Sequence, residues 1–193
     1  MARTATSRRA PDPVLETRAL QREEFGGLNW GAAFFGWLVA VGVATLLTAI
    51  LSAAGAAIGL TKTSSSQAAH SASTIGIVGG ILFLAVLLVA YFAGGYVAGR
   101  MSRFDGPRQG AGVWVIGLLV TILLGVAGVL LGAKYNVLAQ LNLPRIPVNE
   151  GALTTGGVIA LVAVVLGTLL AAVIGGKAGT RYHRKIDKVG DTA

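Results

Sequence analysis

The stretch that decides the fold runs from Ile75 to Gly110, IGIVGGILFLAVLLVAYFAGGYVAGRMSRFDGPRQG. From Ile75 to Gly99 no side chain ionises near neutral pH, and about 20 apolar residues suffice to cross the hydrocarbon core as a helix. The run closes with Gly94, Gly95 and Gly99 and then stops abruptly at Arg100 and Arg103. A helix leaves a bilayer in this way on its positively charged side. Three other stretches read alike, so the expected membrane helices have cores at about 34–58, 75–99, 112–132 and 156–176. The expected fold is an all-α membrane protein, a four-transmembrane-helix bundle over residues 30–178. A polar, disordered tail (1–29) precedes it and a basic tail (179–193) follows.

Composition excludes the main soluble classes. Only 12% of the residues are charged and 54% are apolar, whereas soluble domains carry about 25% charge. The net charge of +8 resembles that of a nucleic-acid binder. The basic residues, however, stand at the ends of apolar runs, where they set topology and meet anionic lipid. No basic soluble fold remains once those runs are removed, so nucleic acid is not an expected partner. The chain has no cysteine, which excludes disulfides, thiolate catalysis and thiolate metal sites. A cleaved signal peptide does not fit, because the leading polar region is long and Glu23-Glu24 stand just before an apolar run too long for an h-region.

Orientation follows from Lys and Arg near the helix ends. Thirteen of the sixteen lie in the N-terminal tail, the 100–110 loop or the segment from Lys177 onward; the others are Lys62, Lys134 and Arg145. Both termini and the middle loop are therefore expected in the cytoplasm, with the helices forming two parallel hairpins. Trp30, Phe34, Phe35 and Trp37 mark an aromatic belt at the start of the first helix. Thr61–Thr74 reads as a polar outer loop, Gly106-Pro107 as a turn within the 100–110 loop, and 134–155 as an outer loop in which Pro144 and Pro147 forbid a continuous helix. Val14 to Phe25 has the composition of a short cytoplasmic helix without a continuous apolar stripe. Each half ends in GGxxxxRxxR, with Gly94-Gly95, Arg100 and Arg103 matched by Gly175-Gly176, Arg181 and Arg184. The pattern reads either as a parallel repeat or as the common ending of any inward-running helix.

Residues able to carry chemistry are scarce. The membrane runs hold no Asp, Glu or His, the usual markers of proton relays and ion pathways. His70 and His183 fall on opposite sides of the expected membrane and lack ligand spacing. No GxSxG elbow or phosphate loop occurs, so no catalytic, cofactor or metal residues are assigned. Thr45, Thr48 and Ser52, the hydroxyls of the first helix, are expected to bond back to their own helix.

Glycines are the more informative residues. Gly55/Gly59, Gly76/Gly80, Gly95/Gly99, Gly128/Gly132 and Gly175/Gly179 each have the spacing that lets helix backbones approach. Gly95, Gly99, Gly175 and Gly179 are the expected packing residues. In the last segment Arg181, Arg184, Lys185 and Lys188 would form a single basic stripe beside Tyr182, Ile186 and Val189 if the fourth helix continues. With Arg100 and Arg103 they are the expected contacts to anionic lipid of the inner leaflet.

Four stretches carry a family resemblance: FGGLNWGAAFFGWL (25–38), GGYVAGRMSRFDGPRQG (94–110), LAQLNLPRIPVNEGALTTGG (138–157) and GGKAGTRYHRKID (175–187). They resemble small four-helix integral membrane proteins of actinobacteria, often labelled YrzE-like. The resemblance implies a plasma-membrane protein and supplies no activity and no functional residues. The functional expectation is a non-enzymatic membrane scaffold, accessory or envelope-sensing subunit, partnered by lipid, by its own copies or by another membrane protein. The alternative is a small passive channel or transporter subunit formed by oligomerisation around Thr45, Thr48, Ser52 and Thr121.

Overall fold

Four helices account for nearly all of the described backbone: α1 (Trp30–Lys62), α2 (Ala72–Met101), α3 (Gly106–Tyr135) and α4 (Thr155–Gly190). The computed structural model describes residues 16–17, 20–21, 23–24, 26–62, 72–102, 104–135 and 155–190, and no strand occurs among them. Each helix holds a stretch long and apolar enough to cross a membrane: Trp30–Gly55, Gly76–Met101, Gly106–Leu130 and Gly156–Arg181. At 1.5 Å per residue these stretches reach about 38 Å against a hydrocarbon core of about 30 Å, so they tilt or protrude.

Every helix outruns the apolar core read from the sequence. The largest extension is at α4, which continues through the basic tail segment as far as Gly190, the condition on which its basic stripe depends. Lys, Arg and Ala favour helix, no proline intervenes, and a helix that satisfies its own backbone has no reason to stop at the headgroups. The 100–110 loop is also shorter than expected. Gly106 opens α3, so Gly106-Pro107 starts a helix instead of forming a turn within a loop. The Asp105 carbonyl accepts from the Arg108 N–H (2.9 Å) and the Gln109 N–H (3.1 Å), which makes Asp105 the N-cap. Pro107 then sits in the first turn, where its missing N–H costs nothing. Thr61, Lys62 and Ala72 to Thr74 are likewise helical instead of loop. Most of the two loops expected outside the membrane, including His70 and LPRIP, lies outside the described residues; those described between 16 and 24 are helical.

The helices pack as a rhombus. α2 and α4 share the most extensive contact; α1 lies on α2, α3 lies on α4, and α3 also meets α1 and α2, while α1 and α4 do not touch among the described residues. Gly36, early in α1, abuts Gly94, late in α2, so these helices run in opposite directions. Gly110, early in α3, likewise abuts Ala172, late in α4, whereas Gly95 with Ala172 and Gly99 with Gly176 advance together along α2 and α4. The starts of α1 and α3 therefore meet the ends of α2 and α4 at one end of the bundle.

That end is closed and the other is open. The buried apolar residues are alanines (32, 33, 40, 90, 98, 172) with Val86 and Val113, and most lie toward the closed end. Ala33, Ala98 and Val113 form a cluster that Trp37, Tyr91 and Ile116 cover. Toward the other end Leu46, Ile81, Leu124, Val129 and Ile159 are more than 60% exposed. Gly42, Gly55, Gly76, Gly80, Gly125, Gly128 and Gly156 have nothing within 4 Å of the position a Cβ would take. In a bilayer such apolar exposure carries little cost, because lipid tails are as apolar as leucine.

Candidate functional site

The closed end is built on glycine. A Cβ at Gly95 would collide with the Ala172 carbonyl, at Gly99 with the Gly176 carbonyl, at Gly175 with the Phe92 carbonyl and at Gly179 with the Tyr96 carbonyl. The four glycines singled out by spacing thus lie on one seam, where α2 and α4 touch backbone to backbone. Their spacing does not distinguish them from Gly76/Gly80, which faces open space. Two seams were missed in the sequence. Gly106 and Gly110 of α3 press on Gly176 and Ala172, and Gly36 presses on Gly94, where a Cβ would sit 2.5–2.6 Å from the opposing carbonyl oxygen. Gly94-Gly95 therefore serves two neighbours, Gly94 facing α1 and Gly95 facing α4. Gly175-Gly176 is divided in the same manner between α2 and α3.

Above the seams sits a polar clasp around Gln109, which is fully buried. Its Nε2 donates to the Gly27 carbonyl (2.9 Å) and to Ser102 Oγ (3.2 Å), and its Oε1 accepts from the Asn29 N–H (3.3 Å). Ser102 Oγ donates a hydrogen bond to the Phe104 carbonyl at 2.8 Å. Asp105 Oδ2 accepts from the Gly27 N–H at 3.0 Å and pairs with the exposed Arg108 guanidinium at 3.5 Å. Asn29 Oδ1 accepts from the Ala32 N–H (3.1 Å) and so caps α1. The segment leading into α1 is thereby fastened to the turn between α2 and α3. Gly27 bends through φ 104°, a conformation closed to most L side chains. Asp105 adopts φ 53°, which Asp tolerates better than most residues.

None of the clasp residues was assigned a role from the sequence. The available signal was Gln109 itself, an amide one turn inside an otherwise apolar helix, where it must find partners. Identifying those partners required bringing together residues some 80 positions apart. Every buried side-chain polar atom among the described residues has a partner.

Deeper in the bundle the Trp114 indole N–H donates to Thr168 Oγ1 at 3.1 Å, joining α3 to α4. Thr168 in turn donates to the Val164 carbonyl at 2.6 Å. Thr45 and Thr121 bond to the Val41 and Gly117 carbonyls of their own helices, at 2.9 and 2.8 Å. Thr48 and Ser52 are exposed. The hydroxyls proposed for an oligomeric pore thus lie on the outside of the single chain.

Among the expected lipid-contacting residues, Arg100 and Arg181 are exposed at the closed end. Arg184, Lys185 and Lys188 lie on the last turns of α4, and Arg103 is outside the described residues. Among the described residues no group of three His, Cys, Asp or Glu side chains is placed to hold a metal. The arrangement is suited to fixing geometry: three backbone seams hold four helices, and an amide locks the lead-in segment onto the adjacent turn. No protein-family profile, characterised protein or solved structure matches this chain.

Proposed function

We propose that this chain is a multi-pass plasma-membrane protein without catalytic activity of its own, a scaffold or accessory subunit whose closed end is a rigid cytoplasmic platform. The observation that carries the reading is the Gln109 clasp, which fixes where the N-terminal segment leaves the bundle relative to the turn between α2 and α3. A tail rooted in this way presents a partner with a fixed starting point, and a partner that grips the tail pulls directly on the helices. The excess of Lys and Arg at this end supports its cytoplasmic placement. In this reading both termini are cytoplasmic, the helices form two parallel hairpins, and the actinobacterial YrzE-like proteins are the relatives to compare.

The test is native mass spectrometry of the protein released from its own membrane in nanodiscs, with lipids and partners retained. A defined heteromeric complex, weakened in a Gln109→Leu variant whose bundle stays folded, supports the platform. Recovery of a homo-oligomer alone, with solute flux in liposomes, replaces it with the passive-channel reading.

A further inference from the structure

Between α2 and α4, on the face turned away from α1 and α3, lies a groove of about 510 Å³ lined by Leu88, Val89, Phe92, Gly167, Leu170 and Ile174, with Ala171 in its wall. Its volume falls within the ~300–1,000 Å³ of small-molecule sites, yet no lining side chain offers a polar group to orient a soluble ligand. The lining complements an apolar chain. What lies beyond the groove defines that chain further. On α2, Phe92, Tyr96 and Arg100 follow one another at four-residue spacing, and on α4 Ile174 is followed on the same face by Ala178 and Arg181. Both arginines are exposed, and each stands about two helical turns beyond the groove's last lining residue, on the side of the closed end.

We infer that this groove and the two arginines beyond it form a binding site for one anionic phospholipid, with an acyl chain along Gly167 and the headgroup phosphate between Arg100 and Arg181. Depth agrees with this assignment. Ile174 and Gly167 lie about 10 and 21 Å along the axis from Arg181. A leaflet with its headgroup region is about 20 Å deep. A phosphate at the arginines thus sets its chain alongside the groove. Gly167 supplies the floor: even a Cβ there would come within 3.1 Å of Leu88 Cδ2. Charge also argues against a second copy of the chain as occupant, because self-docking on this face would bring like guanidinium groups together. Guanidinium binds phosphate with paired N–H donors, in a geometry that a lysine does not reproduce.

The site goes beyond the platform reading and depends on it only for assigning the lipid to the inner leaflet. Its test uses purified full-length protein and is independent of orientation. The protein is equilibrated with equimolar phosphatidylglycerol and phosphatidylcholine of identical chains, and retained lipid is read by native mass spectrometry. Each basic group near an anionic headgroup is worth about fivefold, so wild type retains phosphatidylglycerol about 25-fold over phosphatidylcholine. Arg100→Gln with Arg181→Gln brings that ratio close to one. Gly167→Leu fills the groove and lowers retention of both lipids, with folding of the variant checked by its unfolding transition. Ala171→Phe, from the groove wall, gives the same result should Gly167→Leu fail to fold. Equal retention of the two lipids by wild type overturns the site. So does an unchanged ratio in the double arginine variant, undiminished retention in the filled-groove variant, or a lipid-free dimer that the filled-groove variant dissociates.

Discussion

Two chemically identical substitutions on one helix provide a sharp test of the packing. Gly95→Ala and Gly80→Ala both add one methyl group to α2. At Gly80 nothing lies within 4 Å of that methyl, whereas at Gly95 it meets the carbonyl of Ala172, with the carbonyl carbon at 2.8 Å and Cα at 3.0 Å. The obstacle is backbone and cannot rotate away, so α2 and α4 must part by about 1 Å to reach ordinary contact distance. A gap of that size forfeits a quarter to a half of each contact along the seam, and overpacking a tight interior costs about 1–3 kcal/mol. Gly95→Ala is therefore expected to cost about 2–3 kcal/mol, a 30- to 150-fold shift in the folding equilibrium. Gly80→Ala is expected to be close to neutral. Its usual gain in helix propensity vanishes if the unfolded reference in a membrane is already helical. Equilibrium unfolding in bicelles, followed by tryptophan fluorescence, measures both. Equal midpoints for the two variants refute the backbone seam.

Other expectations follow from the clasp, the interior hydrogen bond and the charge distribution. Gln109→Leu leaves the Asn29 N–H without its partner, and a part-buried unpaired group costs about 2 kcal/mol. Amide exchange at Asn29 should accelerate about 30-fold while the α2–α4 seam keeps its protection, and unchanged exchange would show that the clasp does not hold the segment. Thr168→Val removes the acceptor of the Trp114 indole. Interhelical hydrogen bonds in membranes average about 0.6 kcal/mol, so the loss in stability should be of that order, accompanied by a shift of the Trp114 indole N–H resonance. Because the chain has no cysteine, single introduced thiols report topology. Ser65→Cys should react with an impermeant maleimide on intact cells, and Ser7→Cys and Thr192→Cys should not; the opposite labelling pattern inverts the orientation.

The open end and the closed end differ in physics, not in hydrophobicity. Ile81 and Ala98 belong to the same apolar helix, yet one is 63% exposed and the other fully buried. In water such a difference would drive collapse. In lipid it does not, because an exposed isoleucine loses little against acyl chains, and association depends on close contact and hydrogen bonding. Helices therefore join where glycine and alanine allow their backbones to touch, whereas toward the other end Leu46, Leu124 and Val129 face outward and no such seam forms around them. The closed end thereby becomes the part of the protein suited to presenting a fixed surface.

The sequence by itself determined four helices long and apolar enough to span a membrane, because spanning demands only length and the absence of charge, and both are local properties. Its Lys and Arg asymmetry also favours one orientation without any knowledge of the fold. It could not mark the helix ends, since α4 runs past its apolar core to Gly190 and α3 begins at Gly106; helix propensity continues where hydrophobicity stops. Nor could spacing separate Gly95/Gly99, pressed on α4, from Gly76/Gly80, which faces open space. That distinction depends on which neighbour each face meets, and only tertiary structure decides it. The same holds for the Gln109 clasp, which joins residues about 80 positions apart in the chain.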